Sequence, residues 1–293
     1  MKIERRWGNK MNLEKIAVIT GGTSGVGKKT AIDLAKKNMT VLLIGRNKDK
    51  GENAVDEIIK LTRNVNITFH SVDLTNKKEI DEFAKTIVKQ ESKIDVLVNA
   101  AGALIKKEEL TENNYNKNYV VNYLGHFWLT EKLLPLLKNA EQGRILTVGG
   151  LPILVNRGLV KLPYIDEIRN SKSNKVRQAL TSKVLYTLAL SQRLEGTSVT
   201  ANIFHPGYVT DSNYAMPTSL IGRFVYKVFG RILTYIFNMV SEPNPKIGLK
   251  LTLDNSLSRT TGKFFNEKGK IVPLSKRYSQ DKIDKIWENS QQF

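Results

Sequence analysis

Apolar and polar positions alternate in blocks from the start of the chain. A five-residue apolar run, Ile16–Thr20, ends in Gly21-Gly22. Positions Val26–Lys37 then carry apolar residues at helical spacing, and the cycle repeats. Strand-like runs follow at Val41–Ile44, Val65–Val72, Val96–Val98, Arg144–Val148 and Val199–Phe204. Between them, helical periodicity covers Lys48–Leu61, Lys77–Gln90, Asn116–Leu137 and Val176–Glu195. Strands that are apolar on both faces, alternating with amphipathic helices, predict an α/β fold with a doubly wound parallel sheet. Two segments break the rhythm. Leu151–Arg177 is long and polar and includes Pro152 and Pro163. Residues 219–240 form a strongly apolar insert, and both segments are expected to shape a ligand site as a helical cap.

Length and composition refine this picture. A chain of 293 residues with 41% hydrophobic content can bury a large core in one domain. The domain is expected over residues 14–293, preceded by a short basic extension, residues 1–13. The absence of cysteine excludes disulfides, thiolate metal sites and a cysteine nucleophile, and no metal site is expected. The start lacks the apolar core of a secretory signal, and no uninterrupted apolar stretch of about twenty residues occurs. A cytoplasmic protein, with peripheral membrane association left open, is therefore expected. Forty-six Lys and Arg against 28 Asp and Glu give a net charge of +18. That balance suits a phosphorylated cofactor or an anionic membrane surface, and equally a plain solvated basic surface. No zinc-finger spacing or RNA-binding aromatic strand is present, so nucleic acid is not expected as a partner.

The chemistry begins directly after the first strand. Thr20, Gly21, Thr23, Ser24, Gly25, Val26 and Gly27 form a glycine-rich turn that opens a helix. Such a turn brings backbone N–H groups and the positive helix end onto a pyrophosphate, the Rossmann-type arrangement. The second strand ends in Gly45-Arg46-Asn47 where an NAD site usually carries a carboxylate. Arg46, aided by Lys28 or Lys29, suits a 2′-phosphate, so NADP(H) is expected over NAD(H).

With these motifs the chain resembles the short-chain dehydrogenase/reductase family, particularly its retinol-dehydrogenase-like branch. Thr20, Gly21, Gly25 and Gly27 match the family's glycine pattern. Asp73 and Leu74 match the adenine-contacting segment, and Asn99, Ala100, Ala101 and Gly102 match the motif after the fourth strand. Asn122 matches a catalytic Asn, and His205 to Thr210 match a segment that holds the nicotinamide carboxamide, through Pro206, Gly207, Val209 and Thr210. The resemblance implies carbonyl or alcohol hydride transfer on a lipophilic small molecule, by Asn, Ser, Tyr and Lys. Here the departures begin. Lys183 matches the family lysine, which also holds the ribose, but the tyrosine position four residues earlier is Ala179 and the serine position is Gly150. Tyr186, one turn beyond Lys183, is either a substitute acid or a core aromatic. Tyr164 and Tyr208 cannot be placed by spacing, and the Tyr278–Lys282 pair lies in the tail. Two readings stay open: an oxidoreductase with a nonstandard site, or an inactive NADP(H) sensor, partner or scaffold.

In the insert, Leu220, Ile221, Phe224, Val225, Val228, Phe229, Ile232, Leu233, Ile236 and Phe237 recur at helical spacing, flanked by Arg223, Lys227 and Arg231. This pattern fits a pocket cover, a peripheral membrane contact, or a packed helix or homodimer contact.

Overall fold

The computed structural model describes residues 15–157, 175–207, 209 and 246–293. Seven strands form one sheet: β1 (Ile16–Thr20), β2 (Thr40–Gly45), β3 (Ile67–Ser71), β4 (Val96–Asn99), β5 (Arg144–Val148), β6 (Thr200–Phe204) and β7 (Phe264–Phe265). All pairs are parallel, in the order β3-β2-β1-β4-β5-β6-β7. β1 and β4 are neighbours although β2 and β3 intervene in sequence, so the winding reverses between them and leaves a crevice at their carboxyl ends. This is the doubly wound Rossmann-type sheet that the alternation predicts.

Helices cover both faces. α1 (Gly25–Ala35), α2 (Lys48–Thr62) and α8 (Ile247–Leu253) lie over one core layer, which includes Ala17, Ile19, Leu43, Val98 and Phe204. α3 (Lys77–Gln90), α5 (Gly125–Lys138), α7 (Val176–Arg193) and α9 (Gln280–Gln291) pack on the other, around Val18, Leu97, Leu133 and Leu185. Successive strand residues point to opposite faces, which is why uninterrupted apolar strands feed two cores.

Three features depart from the pattern-based expectation. The helix read as Asn116–Leu137 is a short α4 (Lys117–Tyr119), a π-helical turn (Val120–Leu124) and then α5. The polar segment after β5 starts with a helical turn, α6 (Pro152–Arg157). The sheet also gains β7, a two-residue strand too short to register as a periodic run. Residues 1–13, Tyr164, Tyr208, Thr210 and the insert 219–240 lie outside the described residues.

Candidate functional site

The phosphate loop is built by close backbone approach. Gly21 has φ +67°, and a Cβ there would lie 2.9 Å from the Ala101 Cα. A Cβ on Gly27 would lie 2.4 Å from the Gly21 carbonyl oxygen. The Thr20 hydroxyl accepts from the Ala100 and Ala101 N–H groups at 3.0 Å each, tying β1 to the turn after β4. Ser24 caps α1 without a side-chain hydrogen bond, and the first turn holds no acidic residue. The helix end therefore keeps N–H donors and positive potential for an anion. Thr23, Ser24 and Val26 are half-buried around it.

Arg46 is exposed at the end of β2, while Asn47, also exposed, caps α2 by accepting from the Lys50 N–H at 2.8 Å. Lys28 forms an ion pair with Glu57, which draws it away from the supporting role read for it. The Asp73 carboxylate accepts from the N–H and hydroxyl of Thr75, both at 2.8 Å, so its own turn fixes its direction; Leu74 is buried beside it. These residues fit a dinucleotide. A dinucleotide held there would have α1 for its pyrophosphate and Arg46 for one ribose, with the segment of Pro206, Gly207 and Val209 after β6 left for its other half.

Asn122 sits inside the π turn and is fully buried. Its amide donates to the carbonyl oxygens of Ala103 (2.7 Å) and Asn118 (2.8 Å) and accepts from the Ala103 N–H at 3.3 Å. One donor and the acceptor hold Ala103 and the other donor closes on Asn118 one turn back, so the side chain positions backbone.

Under the β5 end, the helix register decides the chemistry. A Cβ on Gly150 would meet Leu180 Cδ1 at 3.4 Å and Val155 Cγ2 at 3.5 Å, ordinary contacts that leave room for a serine. Leu180 and Val176, four apart and hence on one helix face, are half-buried. Ala179 and Lys183 are 0% and 4% exposed, and the Lys183 amine donates to the Val148 carbonyl oxygen at 3.2 Å. The side chains that meet Gly150 are thus Leu180 and Val155, while the sequence reading places the chemistry on the Ala179–Lys183 face of the same helix. Burial pushes the Lys183 amine down to about 7.

Tyr186 does not reach this cleft chemistry. Its hydroxyl donates to Glu131 at 2.8 Å, and its ring stacks on Trp287 of α9 with centroids 6.1 Å apart. Phe127 and Tyr123 meet it edge-on. This is the core-aromatic alternative, and burial holds its hydroxyl well above the usual phenol range. Tyr278 donates to the Val155 carbonyl oxygen at 3.1 Å, a structural contact.

Sequence reading missed His126. It is 2% exposed on α5, and neither ring nitrogen has a partner among the described residues. Burial and the nearby Lys183 hold its ring well below the usual imidazole range. Nothing in its spacing marked it; only the burial of a polar ring in an apolar helix could have.

Known proteins agree with this architecture. A family model described as short chain dehydrogenase matches residues 15–156. Retinol dehydrogenase 13 of Mus musculus is 30% identical over 281 residues, covering 94% of this chain and 82% of that protein. Retinol dehydrogenase 12 of Homo sapiens is 29% identical over 279 residues, with 94% and 85% covered. Dehydrogenase/reductase SDR family member 12 of Homo sapiens is 41% identical over 143 residues, 49% of this chain and 45% of that protein. Among solved structures, a short chain dehydrogenase from Salmonella enterica aligns with a TM-score of 0.62 at 21% identity, over 89% and 100% of the two chains. The Pseudomonas aeruginosa RhlG/NADP complex aligns with a TM-score of 0.61 at 17% identity, over 87% and 95%.

Proposed function

The chain belongs to the short-chain dehydrogenase/reductase family, and on that premise we propose that it binds NADP(H) beside a lipophilic small molecule without the family's conventional proton transfer. One observation carries this reading: Gly150 is faced by Leu180, with Val176 one turn before it, so aliphatic groups line the place where a substrate oxygen would need hydroxyls. In this register Val176 and Leu180, rather than Ala179 and Lys183, stand at the tyrosine and lysine positions. Bound NADP(H) would supply hydride, but no group at Gly150, Val176 or Leu180 can deliver a proton to the developing alkoxide. A positioned acid is worth about 10²–10⁴ in rate, so its loss lowers turnover by about that factor. The glycine loop, the uncapped α1 end and exposed Arg46 support retention of the cofactor, with its 2′-phosphate preferred. The retinol dehydrogenases among the relatives support a lipophilic ligand. The oxidoreductase reading with a nonstandard site rests on Lys183, whose buried amine donates to the Val148 carbonyl oxygen at the end of β5.

The experiment pairs fluorescence titration of NADPH and NADH with turnover on a panel of aldehydes and ketones. NADPH is expected to bind more tightly than NADH, with turnover near background. Gly150→Ser/Val176→Tyr/Leu180→Lys is expected to raise turnover at least about tenfold, whereas Gly150→Ser/Ala179→Tyr is not. Rescue by the second variant and not the first would put the site back on the Ala179–Lys183 face. Robust parental turnover would remove the reading altogether.

A further inference from the structure

A lysine this deep in a sheet protein ordinarily has a carboxylate partner. Among the described residues Lys183 has none; its one acceptor is the Val148 carbonyl oxygen at the end of β5. That strand end is shared with β4, because Thr147 pairs with Asn99. Asn99 donates to the Thr130 hydroxyl at 3.0 Å, and its Oδ1 has no partner among the described residues. His126 lies one turn before Thr130 on the same face of α5, with both nitrogens unpartnered. Among the described residues, three buried polar side chains thus keep unused hydrogen-bonding capacity: Lys183 at the β5 end, His126 close enough for its ring to feel the Lys183 charge, and Asn99 at the β4 end. Orphaned groups of this kind are costly in an interior and mark a place kept for something other than packing.

We propose that Lys183, backed by His126 and Asn99, senses the redox state of the bound dinucleotide: its ammonium lies under the nicotinamide half of the cleft and favours the neutral reduced ring over the cationic oxidised ring. The inference rests on the reading that the chain binds NADP(H), and adds to it which form is preferred and when. The charges are simple. NADP+ and NADPH differ at the ring by one positive charge and share the same phosphates. A cation in the low-dielectric interior below the ring penalises only the oxidised form. With the amine pushed down to about 7 by burial, that cation is present on the acid side of neutrality and lost on the alkaline side.

Other titratable groups around the Lys183 helix do not supply the same switch. From α5, His126 stays neutral through this range, since its ring is held well below the usual imidazole value. Before α5, Tyr119 is bonded to the Ser182 hydroxyl at 2.9 Å and Tyr123 to Ser290 at 2.5 Å; burial raises both phenols. From the sheet, Val148, Thr147 and Asn99 do not titrate. Glu131 is occupied by Tyr186.

The test is the ratio Kd(NADP+)/Kd(NADPH), measured by titration from about pH 6 to 8.5. The 2′-phosphate titrates near 6 but belongs to both forms, so it largely cancels in the ratio. In the wild type the ratio is expected to fall about tenfold as pH rises through 7. Lys183→Met, close in volume, is expected to give a low ratio independent of pH. Lys183→Arg keeps its charge throughout and is expected to give a high ratio independent of pH. Calorimetry on the wild type at pH 7 in two buffers of different ionisation enthalpy gives a readout that needs no variant: NADP+ binding is expected to release a fraction of a proton more than NADPH binding. A pH-independent wild-type ratio, or the same pH dependence in Lys183→Met, would overturn the proposal. Failure to bind either form would instead remove the cofactor reading beneath it.

Discussion

At Gly27 an added Cβ would stand 2.4 Å from the Gly21 carbonyl oxygen, inside any van der Waals contact and against backbone that cannot rotate away. Gly27→Ala is therefore expected to open the phosphate loop and weaken NADPH binding by about tenfold or more, with the circular dichroism spectrum retained. Unchanged affinity would show that the loop does not carry the pyrophosphate. Glycines of this kind were legible in the sequence because their need is local: a turn, a strand before it and a helix after it. The site under β5 was not. On the proposed register tyrosine and lysine are both replaced, and a four-residue spacing alone does not choose between it and the register that ends in Lys183. Contact with Gly150 selects Leu180, and contact is a property of the fold. His126 was hidden for the same reason, since an unpartnered ring is defined by its surroundings.

Strands and most helices were read close to their observed bounds, because burial on two faces writes an uninterrupted apolar run and burial on one writes a 3.6-residue period. The π turn at Val120–Leu124 escaped. A single π turn spans too few residues to stand out as a break in the apolar period, yet Asn122 sits inside it and its amide holds Ala103. The segment 219–240 lies outside the described residues, and its sequence pattern alone motivates a membrane reading: ten apolar positions at helical spacing with Arg223, Lys227 and Arg231 beside them. Co-sedimentation with anionic vesicles is expected at low salt, lost at about 0.5 M salt as the charges are screened, and weakened by Arg223→Glu/Lys227→Glu/Arg231→Glu. Equal binding to neutral vesicles by parent and variant would reject the electrostatic part. No recovery with vesicles at low salt would reject the contact.

Across the whole molecule, the net charge of +18 and the buried amine of Lys183 both bear on stability against pH, and they can be separated. The ordinary lysine value is 10.5, and in the folded chain it is about 7. Below 7 both folded and unfolded chains hold the proton. Between 7 and 10.5 only the unfolded chain holds it, so stability rises with pH across this window, by at most about 1.4 kcal/mol per pH unit. The histidines 70, 126 and 205, all held low by burial, act on the acid side of this window. The raised phenols of Tyr119, Tyr123, Tyr186 and Tyr278 act on its alkaline side. Urea midpoints from about pH 7.5 to 9.5 therefore isolate Lys183. Lys183→Met is expected to be more stable than the parent at the acid end by a few kcal/mol, with the advantage shrinking steadily as pH rises. Surface repulsion cancels in that comparison to within the one charge removed, because parent and variant share every other cation. A constant offset between the two across the window would mean that Lys183 keeps its proton in the folded chain, and that the charge beneath the cofactor cleft is permanent rather than switched.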